Sequence, residues 1–128
     1  MIVNKGILKA YSRMGQKGAS SGIGMVELGK ERTNIRAVVA DSVAIASLDR
    51  FNNLYPNRIV NVGIAEQNMM STAAGFATCG KIPYASTFAV FATGRAFEII
   101  RNSICYPNAN VKIAATHAGI TVGEDGGS

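Results

Sequence analysis

Four short apolar runs, at residues 35–40, 58–62, 82–87 and 111–116, each end at a turn, and the first three lead into helical stretches. Those stretches are 43–54, 66–79 and one from Phe88 to about Tyr106, with Pro56, Gly80 and Pro107 marking the return to the next run. Short buried strands alternating with helices of about ten or more residues require βαβ units and a parallel sheet. Right-handed crossovers then place helices on both faces. The expected fold is an α/β three-layer sandwich. In open parallel sheets ligands bind beyond the carboxyl ends of the strands. The residues just past the four ends are Asp41, the turn Gly63-Ile64-Ala65-Glu66, Phe88 with Phe91, and His117, the chain's single histidine. An acid, a second acid at a helix start, two aromatics and an imidazole on one edge make a candidate site.

Composition agrees with a buried domain: 128 residues, 48% hydrophobic and 16% charged, exclude intrinsic disorder. The longest uncharged stretches, 67–80 and 82–94, fall short of the ~18 apolar residues of a membrane span. The net charge of +5 is local. Residues 1–36 hold seven Lys or Arg against two Glu, and the remainder holds six of each sign. Tyr11 is the only aromatic among the first 36 residues, so the basic segment lacks the interleaved stacking groups of a nucleic-acid site. Cys79 and Cys105 have no CxxC spacing and no neighbouring histidine, which leaves buried, reduced thiols and no metal site in this chain. Residues 2–8 are broken by Asn4, Lys5 and Gly6 and form no secretory core, so the expected location is cytoplasmic.

Residues 1–18 read as an amino-terminal arm or imperfect helix, and 19–128 as the domain. Ser20 and Ser21 are expected to cap a helix running to about Glu31, with Ile23, Val26 and Leu28 partly inward. The segment Gly18-Ala19-Ser20-Ser21-Gly22-Ile23-Gly24 looks like the glycine fingerprint of short-chain dehydrogenases, in which a strand must precede the glycines. Residues 9–17 are polar, and no Tyr has a Lys four residues later. An NAD-binding module therefore stands only as an alternative, beside a non-catalytic assembly domain.

Three further segments carry a family resemblance. Val62-Gly63-Ile64-Ala65-Glu66-Gln67-Asn68 resembles the motif that bears the catalytic glutamate of thiamine-diphosphate enzymes of the transketolase group. Ser86-Thr87-Phe88-Ala89-Val90-Phe91 resembles the aromatic segment that packs on the cofactor's aminopyrimidine, and residues 115–126 are similar to the transketolase substrate loop. His117 stands where deoxyxylulose-phosphate synthases have arginine, which favours transketolase.

The resemblance implies a pyrimidine-binding domain transferring a two-carbon ketol unit between sugar phosphates, as in the pentose phosphate pathway. Glu66 would hydrogen-bond N1′ of the aminopyrimidine and promote loss of the thiazolium C2 proton. Phe91 would stack on the aminopyrimidine, Phe88 would shape the pocket, and Asp41 would lie near the thiazolium. His117 and Asp125 would contact sugar hydroxyls. Magnesium and the diphosphate would be held by a separate pyrophosphate-binding domain or subunit, within a homodimer or heterotetramer. The chain is then expected to be the C-terminal subunit of a split transketolase, truncated inside the substrate loop and inactive alone. Two departures concern the sugar phosphate. The family's Thr-Arg pair is replaced at Lys17-Gly18-Ala19, and Ile45 occupies the place of a phosphate-contacting serine.

Overall fold

A computed structural model describes residues 5–120. Helix α1 (Lys5–Lys17) and helix α2 (Met25–Glu31) are joined by a π-helical segment, Gly18–Gly24. Strand β1 (Ile35–Val39) is followed by α3 (Asp49–Leu54) and β2 (Ile59–Asn61). Then come α4 (Glu66–Thr78), β3 (Ile82–Ser86), α5 (Phe97–Ile99) between two π-helical segments, Phe91–Arg95 and Ile100–Cys105, and β4 (Lys112–Ile113).

The four strands are parallel, in the order β2-β1-β3-β4. Side chains alternate across a strand, so β1 feeds two cores. Ile35, Ala37 and Val39 pack with Met25, Val26, Leu48 and Phe51 from α2 and the α3 region. Val38 and Ala40 pack on the other face with Met69, Met70 and Ala73 of α4 and with Ala96 and Ile104. The three-layer sandwich expected from the apolar runs is the fold observed. Pro83 is tolerated in the internal strand β3 because of register. Ile82 N–H bonds the Asn34 carbonyl on the β1 side, so the missing N–H of Pro83 faces β4, whose pairing begins only at Tyr84 with Lys112.

Several local expectations are corrected. Ser20 and Ser21 do not stand at a helix start. The chain enters from α1 in helical conformation at Lys17, and Met25 N–H closes a wide turn on the Ser20 carbonyl. Helix α1 is kinked at Gly15, with φ of 70°. The buried positions of α2 are Met25, Val26 and Gly29, whereas Ile23 and Leu28 are half-buried. The helix expected over 43–54 is confined to α3, since Ser47 takes a left-handed φ of 57° and breaks it. The last helix, expected from Phe88 to about Tyr106, is interrupted by its two wide turns. The strand expected over 111–116 pairs over only Lys112–Ile113, plus a single bridge between Phe88 and Thr116. Both cysteines are exposed rather than buried: Cys79 follows the end of α4, and Cys105 lies at the outer end of the last wide turn. No helix among the described residues is long and apolar enough to cross a membrane.

Gly29 sets the spacing between α2 and α3. A Cβ there would stand 2.7 Å from Tyr55 Cε2 and 3.1 Å from Phe51 Cε2. Tyr55 cannot simply rotate away, because its ring packs 5.2 Å from Phe51 and carries the Arg58 guanidinium at 4.6 Å. Helix propensity favours Ala over Gly by about 0.5–1 kcal/mol, and overpacking costs about 1–3 kcal/mol. Gly29→Ala is therefore expected to destabilise the fold by about 1–2 kcal/mol, seen as a lower urea midpoint at unchanged slope.

Candidate active site

The strand order places β2 on one side of β1 and β3 on the other, which makes the carboxyl end of the β1–β3 pair the topological switch point of the sheet. Side chains tie this edge together laterally. The Asn61 side-chain carbonyl accepts from two loops at once, from Asp41 N–H at 2.9 Å and Gly63 N–H at 3.0 Å. Ser42 Oγ, just past β1, donates to the Ser86 carbonyl at the end of β3 at 3.2 Å. Ser86 Oγ in turn donates to the Ala114 carbonyl past β4 at 2.9 Å. Backbone bonds from Thr116 N–H to Thr87 O and from Ala89 N–H to Thr116 O complete the row. Asn61, Ser42 and Ser86 were not singled out from sequence, because nothing local marks a partner on another strand.

The chain leaves three of the four strands through left-handed residues: Asp41 (φ 55°), Gly63 (φ 74°) and His117 (φ 53°). For Asp and His this conformation is uncommon and strained, and such residues cluster at functional sites. Asp41 is exposed, with Oδ1 3.5 Å from Asn61 Nδ2. His117 is half-buried, with Nδ1 2.9 Å from Thr116 Oγ1. Its ring lies 4.2 Å from that of Phe88, which stacks nearly parallel on Phe91 at 5.6 Å. Phe91, Phe88 and His117 thus form one continuous aromatic surface.

Glu66 opens α4, where the helix dipole favours a carboxylate. An ordinary first-turn acid is exposed; this one is 3% exposed. Its Oε2 has no hydrogen-bond partner, and the nearest cation is Arg95 Nη1 at 3.4 Å. Arg95 was also missed from sequence, since it lies on a different helix from Glu66.

A cleft of about 620 Å³ opens between the Gly18–Gly24 segment and the end of β4, lined by Lys17, Ser20, Ser21, Ala115, Thr116 and His117 among others. Helix α1 and not a strand precedes this glycine segment, so it lacks the strand–turn–helix geometry of a dinucleotide fingerprint. Ile45 is partly exposed on the turn after β1. Asp125 lies outside the described residues. Among those described, no three His, Cys, Asp or Glu are grouped to hold a metal.

Comparison with known proteins identifies the family of the chain. The family model of the transketolase pyrimidine-binding domain matches residues 17–128. The chain is 54% identical to a putative transketolase C-terminal section of Methanocaldococcus jannaschii over 88% of its own length and 36% of that protein's. It is 42% identical to a 1-deoxy-D-xylulose-5-phosphate synthase of Desulfotalea psychrophila, over 80% of this chain and 16% of that one. A solved split-gene transketolase, described as an inactive β4 tetramer, superposes with a TM-score of 0.71 at 59% identity, covering 79% of this chain and 34% of its own. Transketolase from Campylobacter jejuni shares the fold, with a TM-score of 0.73 at 23% identity over 83% of this chain and 17% of that one. The chain spans about a third or less of the length of these relatives. It belongs to the transketolase family, as a pyrimidine-binding domain.

Proposed function

We propose that this chain supplies the aminopyrimidine-activating half of a thiamine-diphosphate site in an enzyme that transfers a two-carbon ketol unit between sugar phosphates. The observation that carries this reading is the buried Glu66 carboxylate, with an oxygen that no donor satisfies, at the edge where an α/β sheet binds ligands. A buried acceptor without a donor is costly unless a ligand completes it. These groups suit the cofactor, because a protonated ring nitrogen matches Oε2 and the aromatic pair on the same sheet edge offers a face for a heterocycle.

Bound thiamine diphosphate supplies a nucleophilic thiazolium carbon, and the chain's residues prepare it. Glu66 holds and shares a proton at N1′ of the aminopyrimidine. Phe91 stacks on that ring, and Phe88 fixes the wall beside it. Asp41 places a carboxylate near the thiazolium. His117, and Asp125 farther along the loop, orient the sugar's hydroxyls. With Lys17-Gly18-Ala19 where the family carries its Thr-Arg pair and Ile45 where it carries a Ser, the sugar phosphate is left to Lys17 or to the partner. A pyrophosphate-binding domain or subunit holds magnesium and the diphosphate, so the chain works in a homodimer or heterotetramer and is inactive alone. Its setting is cytoplasmic carbohydrate metabolism.

Glu66→Gln keeps the shape and removes the proton-sharing group. In the complex with the pyrophosphate-binding partner it is expected to slow ketol transfer by about 10²- to 10⁴-fold, with the thermal midpoint retained. Unchanged transfer would refute the reading. Phe91→Ala removes the stacking face and is expected to weaken thiamine-diphosphate binding by about 1–2 kcal/mol, roughly tenfold, by calorimetric titration. Unaltered affinity would remove Phe91 from the site.

A further inference from the structure

Glu66 Oε2 has essentially no accessible surface, so nothing can approach it until a neighbouring group moves. The group closest in charge is Arg95, and the two are unlike in setting. The Glu66 side chain is 4% exposed, and that of Arg95 is 55% exposed. Their separation of 3.4 Å exceeds the ~2.7–2.9 Å of a charge-assisted hydrogen bond. The guanidinium therefore neutralises the carboxylate without satisfying it, and a better-aligned donor would displace it. Arg95 can yield because its head already meets water. It also closes the wide turn Phe91–Arg95, in which Ala96 N–H reaches back to the Phe91 carbonyl. Such widened turns occur within helices at functional sites. This turn carries the aromatic ring at one end and the guanidinium at the other.

We propose that Arg95 is a removable cover on Glu66: it screens the carboxylate while the site is vacant and swings out when the aminopyrimidine arrives. Arg95 is then a positioning residue, and its departure is coupled to cofactor entry. The proposal rests on the reading of Glu66 as the aminopyrimidine's partner. A covered state lowers apparent affinity by the fraction of molecules in which the site is open. Removing the cover is thus expected to tighten binding, whereas removing a ligand anchor would weaken it.

The test uses the chain assembled with its pyrophosphate-binding partner, titrated with thiamine diphosphate at fixed magnesium. Arg95→Met is expected to lower the apparent Kd by about three- to tenfold, while Arg95→Lys, which keeps the charge, stays near the parent. Without cofactor, Arg95→Met should also lower the thermal midpoint by a few degrees, because it leaves a buried carboxylate without its counter-ion. That loss should vanish in Glu66→Gln/Arg95→Met, where no charge needs screening. Weaker or unchanged binding in Arg95→Met overturns the cover. If Glu66→Gln stops ketol transfer while Arg95→Met leaves binding unaltered, the cover alone fails. If Glu66→Gln transfers normally, the reading of Glu66 fails, and the cover fails with it.

Discussion

The carboxyl edge of the sheet is held in register by side chains that bond sideways to backbone. Asn61 fastens the turn after β2 to the turn after β1, Ser42 fastens that turn to β3, and Ser86 fastens β3 to the segment after β4. Parallel strands fix one another along their ladders, but the ladders stop where the strands stop. Beyond that point each loop would be free to find its own position. Here one amide and two hydroxyls extend the sheet's order past the strand ends, toward the turns that carry Asp41, Glu66, Phe88 and His117. Ser42 and Ser86 are themselves buried, so breaking either link leaves a polar group without a partner in a dry setting. The edge is consequently cooperative, and a disturbance at one strand end reaches its neighbours.

Against this fixed frame, Glu66 is the described residue that holds a buried side-chain oxygen without a hydrogen-bond partner. Everything around it favours burial: the α4 start turns it inward, and Met69, Met70 and Ala73 of the same helix fill the core below. A glutamine of the same shape would be easier to bury there. The cation beside it is itself more than half exposed. Pre-formed packing around an unsatisfied acceptor is the arrangement expected of a site that its ligand completes.

Much of this was legible in the order of residues. The runs at 35–40 and 82–87 gave strands within a residue of expectation, because a parallel strand buried between two cores reads as a nearly continuous apolar run. The helix at 66–79 was legible as the stretch between two such runs, closed by Gly80. The failures have separate causes. Glycine and serine at 18–24 argue locally for a loop, yet packing of Ser21, Met25 and Val26 against the sheet side draws the segment into a wide helix. The stretch 43–54 has helical apolar spacing, but spacing does not reveal that Ser47 takes a left-handed conformation. Of the site, the expected residues Phe88, Phe91 and His117 do meet, and Glu66 is buried. Arg95 and Asn61 escaped notice because their significance lies entirely in partners brought by the fold.

The left-handed residues Asp41 and His117 have one more consequence. Glycine would adopt their backbone conformation with less strain, so at these positions the demands of folding and of the side chain point to different residues. Under selection for stability alone, both positions would drift toward glycine, and the edge would lose its carboxylate and its imidazole without any change of fold. This chain carries Asp at the first of these positions and His at the second, and so holds a carboxylate and an imidazole where the backbone alone would favour glycine.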